Sequence, residues 1–260
     1  MSETLTPEQL YQQAMTLLNI SQATMNEGTV QEAYQLLKAS ANGGHSRAAY
    51  AYANYQYYTL GDHAEAFAYV PKAISEDPSG DAHYLLGLLY YHGKACEKND
   101  PKSYELHTEA AVRGNKDAMF ELYAYYSQGI GCTPDAAKAF GWNKKAAEAG
   151  QYRACYNMGW FYETGTHVEQ DLNKAFQFYK TASENGNGKA TAYVGVMYEK
   201  GMIEPPETLD ENGGWDEEKA RKIAYTWYRK AENEQDFYMI YDFLESLDLY
   251  YDEDEYADED

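Results

Sequence analysis

Small and apolar residues recur along the chain at spacings of three, four and seven, with no run of strand-like alternation. That spacing predicts helices with one packed face. In DLNKAFQFYKTASENG, residues 171–186, Ala175 and Ala182 lie seven apart on one helical face. Asp171 stands at the N-cap position and Gly186 at the C-terminal stop. A shift of 36 residues toward the N-terminus finds DAAKAFGWNKKAAEAG at 135–150, and a second shift finds NDPKSYELHTEAAVRG at 99–114. In this register Lys102, Lys138 and Lys174 align, as do Ala110, Ala146 and Ala182, and Gly114, Gly150 and Gly186.

The stretch before each of these keeps the same register. Ala82, Ala118, Ala154 and Ala190 align, as do Tyr90, Tyr126, Tyr162 and Tyr198, and Gly93, Gly129, Gly165 and Gly201. Gly87, Gly159 and Gly195 also align, with Tyr123 in place of the second member. A fixed period of this size means stacked units that bury their faces against one another. The prediction is an all-α, right-handed α-solenoid of about six helix pairs with a 36-residue period. Interior alanines and glycines serve close approach of helices.

The pattern frays toward both ends, as terminal units of an array do. Residues 1–45 read as a degenerate N-terminal helix pair, its first helix opening at the capping box Thr6-Pro7-Glu8-Gln9. Residues 63–77 read as a weaker second helix, keeping Ala66 and Ala73. Repeats run over 46–236, most regularly over 82–201. AYTWYRKA at 224–231 matches AFQFYKTA at 175–182 with 13 extra residues between, near 202–218. That insertion, rich in Pro, Gly and acids, predicts an exposed loop and an extra turn of helix. Residues 237–250 predict an amphipathic capping helix, and 251–260 an acidic disordered tail.

Composition adds charge and rings. Forty-two acids against 21 bases give the 260-residue chain a net charge of −21, and 28 residues are tyrosine. A field of that sign repels nucleic acid and anionic membranes and speeds encounter with basic proteins. Tyrosine packs like a large apolar residue yet tolerates water at its hydroxyl, which suits binding faces. No basic segment followed by an apolar run opens the sequence, and no stretch approaches membrane-spanning length. The three cysteines, Cys96, Cys132 and Cys155, do not make a disulfide framework. The expectation is a cytoplasmic protein with reduced thiols.

The unit ACYNMGWFYETGTHVEQDLNKAFQFYKTASENGNGK, residues 154–189, resembles the Sel-one-like repeat, a relative of the tetratricopeptide repeat. It carries nearly all of that signature: Ala…Leu-Gly…Tyr…Gly…Asp…Lys-Ala…Tyr…Ala…Gly. The resemblance covers about 45–236. It implies a helical solenoid and a role as adaptor, binding protein or assembly factor, without catalysis. In some secreted relatives one disulfide closes each repeat. Cys155 fits one such position, but Ala146 and Ala147 occupy the other.

Candidate chemistry is sparse. The histidines, His45, His63, His83, His92, His107 and His167, include no pair four apart beside an acid on one helix. His92 and Cys96 are four apart across a helix-ending glycine, with no second ligand pair. The glycines are spaced as helix ends and not as a phosphate loop. No catalytic residue, metal site or cofactor is predicted.

Function is sought instead on the first helix of each pair. On a helical wheel Ala82, Leu86, Leu89, Tyr90 and Gly93 form the packing side. The opposite side carries Tyr84, Leu88 and Tyr91, then Phe120, Ala124 and Ser127, then Tyr156, Trp160 and Glu163, then Ala192, Val196 and Glu199. A free helix face is normally polar there. Two readings are open: a second packing face between neighbouring repeats, or an aromatic strip on the concave wall of the solenoid. On the second reading Tyr84, Leu88, Tyr91, Phe120, Tyr156, Trp160 and Glu163 contact a basic protein partner. An inhibitor or immunity protein that captures a basic toxin fits this charge, and an adaptor assembling several partners is the alternative.

Overall fold

The computed structural model of the chain describes residues 5–24, 26–234 and 244–245. Among these residues there are twelve α-helices, and the only extended pairing is a bridge between Leu209 and Trp215. The chain divides into two compact units, residues 1–139 and 140–260. The first holds α1 (Pro7–Thr24), α2 (Glu27–Asn42), α3 (Ser46–Tyr55), α4 (His63–Tyr69), α5 (Asp81–His92), α6 (Asp100–Val112) and α7 (Lys116–Gln128). Helix α8 (Ala136–Glu148) begins just before the division. The second unit continues with α9 (Tyr152–Thr164), α10 (Leu172–Glu184), α11 (Gly188–Glu199) and α12 (Glu217–Glu234).

Helices pack in pairs: α1 on α2 and α5 on α6 in the first unit, α9 on α10 and α11 on α12 in the second. Second helices also touch the first helix that follows them, as α6 touches α7 and α10 touches α11. The caps follow the repeat. Side chains of Asn99, Asp135, Asp171 and Asp216 each accept from the backbone N–H three residues on, that of Lys102, Lys138, Lys174 and Lys219. The lysine ammonium then returns to its own cap in three of the four, at 3.1 Å for Lys174 and Asp171. First helices α5, α7 and α9 end on left-handed Gly93, Gly129 and Gly165, a conformation other residues rarely hold. At the N-terminus the capping box is reciprocal: Thr6 N–H donates to Gln9 Oε1 at 2.8 Å, and Gln9 N–H to Thr6 Oγ1 at 3.2 Å.

Within the helix pairs a ring lies on a glycine. A Cβ at Gly159 would meet the Tyr179 ring at 2.6 Å, one at Gly195 the Tyr228 ring at 2.5 Å, and one at Gly87 the His107 imidazole at 2.7 Å. In the sequence the remaining repeat exchanges these sizes, with Tyr123 at the glycine position and Asn143 at the ring position. Tyr179 then donates its hydroxyl to Glu163 at 2.7 Å, and Tyr228 to Glu199 at 2.6 Å. His107 instead joins a buried knot. Its Nδ1–H donates to the Ser103 carbonyl at 2.9 Å, and Ser103 Oγ donates to the Gly87 carbonyl at 2.8 Å. Burial pulls the imidazole down to about 4, so it is neutral at pH 7.

The structure departs from the repeat in three places. The helix expected over 63–77 holds only to Tyr69; Pro71 cannot donate to the ladder, and two 3-10 turns, Val70–Lys72 and Ile74–Glu76, replace its second half. Helix α3 runs on into a wide π turn, Gln56–Leu60. The insertion is not wholly exposed: Ile203 and Thr208 are buried, and Asp210 N–H bonds to the Gly214 carbonyl at 2.7 Å, closing the loop. Helix α12 is 18 residues long against 13 for α10. The capping helix expected over 237–250 and the tail over 251–260 lie outside the described residues, save Leu244 and Glu245.

Candidate protein-binding surface

In the first unit the two sides of α5 separate only in part: Tyr90 and Gly93 of the packing side are half-buried, and Leu88 of the opposite side packs against the core, as Tyr90 does. Ala82, Leu86 and Leu89 are buried, while Tyr84, Leu88 and Tyr91 are half-buried on the other side. Tyr84 meets His107 edge-on, with centroids 5.3 Å apart. Tyr91 lies 5.8 Å from the Tyr125 ring, and the Lys98 ammonium sits 5.5 Å from its own centroid. Phe120 on α7 is half-buried beside Tyr123, at 5.9 Å.

In the second unit Tyr156 is half-buried, 5.4 Å from the Tyr179 ring. Trp160 is 45% exposed, with one side against Phe161. Glu163 is half-buried, and its carboxylate accepts from both Tyr179 and Tyr193. Burial first, and then that carboxylate, push the Tyr156 phenol up. The face does not continue onto α11, where Ala192 and Val196 are both buried.

Two rings of the first unit escaped the sequence reading. Tyr50 follows Ala48 by two residues, as Tyr84 follows Ala82 and Phe120 follows Ala118. The register that would have revealed it is hidden by the broken α4 and the π turn. Tyr58 is 58% exposed, yet its phenol is pushed up to about 12, first by desolvation and then by Tyr57, Asp117 and Glu121. The Tyr50 phenol is likewise raised, by burial and then by Asp81, Tyr58, Asp77 and Asp117. Asp117 acts on both phenols, Tyr50 and Tyr58.

This arrangement presents flat apolar area with hydroxyl and carboxylate edges, which suits protein recognition. Among the described residues no group of three His, Cys, Asp or Glu is placed to hold a metal, and no helix is long and apolar enough to cross a membrane. Cys96 and Cys132 donate their thiols to the Leu89 and Tyr125 carbonyls at 3.6 Å, and burial pushes both thiols up, away from the reactive thiolate. Cys155 is buried, its thiol on the Ala147 carbonyl at 3.5 Å.

The Sel1 repeat family model matches residues 80–115, 116–151, 153–187 and 211–236, just over half of the chain. No curated protein matches it. A Sel1 repeat protein from Oxalobacter formigenes is similar over 93% of this chain and 66% of its own, with a TM-score of 0.75 and 24% identity. A protective antigen of uropathogenic Escherichia coli with an SLR fold is similar over 88% of this chain and 46% of its own, with a TM-score of 0.61 and 22% identity. An immunity protein from Pseudomonas aeruginosa is similar over 89% of this chain and 84% of its own, with a TM-score of 0.51 and 18% identity. The chain therefore spans less than two thirds of the length of the first two. At these identities the likeness is one of fold.

Proposed function

The chain belongs to the Sel1 repeat family, and from that premise we propose that it works without catalysis, binding a basic protein through the open face of its first helices. The fold is the all-α solenoid of that family, a protein-binding scaffold. The observation that carries the proposal is the set of large rings left half-open: Tyr84, Tyr91 and Phe120 in the first unit, Tyr156 and Trp160 in the second. Rings of this size on open faces are typical binding anchors. The net charge of −21 supports a basic partner, which such a field draws in quickly. The narrower reading is an inhibitor that captures a basic toxin. The fold likeness to an immunity protein supports it, beside the charge. We take the cytoplasm as its setting, on the strength of three cysteines that remain thiols.

The test is affinity capture from the native host at low and at moderate salt, with the wild type and with Tyr91→Ala/Tyr156→Ala/Trp160→Ala. The expected result is one basic partner, with an association rate that falls steeply with salt. The triple variant should bind at least about a hundredfold more weakly, since anchors of this kind contribute more than 1 kcal/mol each. Unchanged helicity by circular dichroism accompanies that loss. Several weak partners with shallow salt dependence would favour the adaptor. A triple variant that unfolds would make the rings packing residues and overturn the proposal.

A further inference from the structure

A cavity of about 460 Å³ opens in the first unit between α2 and the end of α3, a size that small ligands or single side chains occupy. Its walls include Glu27, Gln31, Tyr34 and Gln35 from α2, and Tyr55 and Gln56 from α3 and the π turn. Tyr34 and Tyr55 stack with centroids 3.4 Å apart and planes 10° from parallel, which leaves an outer ring face open on either side of the pair. The cavity coincides with the place where this repeat departs from the others. From the cap His45 to left-handed Gly61 the chain has two residues more than from Asn115 to Gly129. The π turn over Gln56–Leu60 takes up the surplus, with Asp62 N–H donating to the Gln56 carbonyl at 2.9 Å. Wide turns of this kind cost regular hydrogen bonding and are retained most often at functional sites.

The lining has a definite chemistry. Among the described residues it offers one carboxylate, three side-chain amides and three tyrosine rings, Tyr52 beside the stacked pair, together with Val30, Thr59 and Leu60, and it contains no Lys, Arg or His. An anion would find no counter-charge there. A compact ammonium would find the carboxylate and a ring face, but has no planar edge to lay along three amide oxygens. A planar cation finds all three: a face to lie against, acceptors along its edge, and an opposite charge at the rim. From this juxtaposition we infer that the cavity between α2 and α3 binds a guanidinium group, from an arginine side chain of a partner or from a small free guanidine. The inference is independent of the binding reading for α5, α7 and α9, and either can fail without the other.

The experiment follows the ring-proton shifts of Tyr34 and Tyr55 in the full chain. The probes are methylguanidinium, acetyl-Gly-Arg-Gly amide, and the same peptide with citrulline for arginine. Saturable shifts are expected with both guanidinium probes. The neutral citrulline peptide should bind at least about tenfold more weakly, the usual effect of losing one charge-assisted contact. Glu27 is exposed, so Glu27→Gln should leave the fold intact and weaken methylguanidinium by a similar factor. Peptide binding well above that of methylguanidinium assigns the site to an arginine of a partner, and equal binding assigns it to a free guanidine. Absence of saturable shifts, citrulline binding as well as arginine, or an unchanged Glu27→Gln would each overturn the inference.

Discussion

Glu163 shows what one residue does in this chain. Its carboxylate receives the hydroxyls of Tyr179, fully buried, and Tyr193, half-buried. Burial, together with that negative charge, drives both phenols well above their ordinary range, so both stay protonated donors. Glu163→Ala would leave these donors without their acceptor and should destabilise the protein by about 1–3 kcal/mol in urea titration. Glu163→Gln keeps a carbonyl acceptor and should cost less than half as much; equal losses would show that the bonds contribute nothing. The sequence placed Glu163 on the face of α9 with Tyr156 and Trp160. A wheel gives the angle of a side chain and not its partners, and Tyr193 stands 30 residues further on. The wheel turned Trp160 away from the packing side, and the residue is 45% exposed.

At the scale of the element, helix positions and caps were readable because they are local. Asp171 meets the Lys174 N–H within one turn, and the glycine that ends α9 needs only its own backbone. What was not legible depends on contact at a distance. The alignment of Gly87, Gly159 and Gly195 spoke for close packing, and only coordinates identify the occupants as His107, Tyr179 and Tyr228. Gly159→Ala would drive a methyl into the Tyr179 ring at 2.6 Å. The expected loss is about 1–3 kcal/mol, the range for an overpacked core. Adding Tyr179→Phe should not rescue it, because the clash lies at the ring carbons, whereas Tyr179→Leu should recover part of it. Thermal melts of the three variants decide this. The π turn and the buried foot of the insertion were hidden for the same reason: each answers a neighbour that the linear pattern does not record.

For the whole molecule the governing quantity is charge. An excess of 21 negative charges on 260 residues opposes compaction, and the ion pairs among the described residues are largely exposed ones within a turn of helix, which offset little of it. Raising sodium chloride from about 10 to 200 mM should screen this repulsion and stabilise the fold by about 1 kcal/mol, or roughly 2–4 °C in melting temperature. A melt that falls with salt would show that attractive pairs outweigh the repulsion. The same salt range weakens capture of a basic partner, so stability and binding move in opposite directions. The seat of Tyr179 on Gly159 bears on how such a molecule comes into being. Lock and key belong to one hairpin, so α9 and α10 need only the chain from Tyr152 to Glu184 to find their register. On the ribosome the three hairpins with such a seat, α5–α6, α9–α10 and α11–α12, can each close as they emerge, before their successors are made.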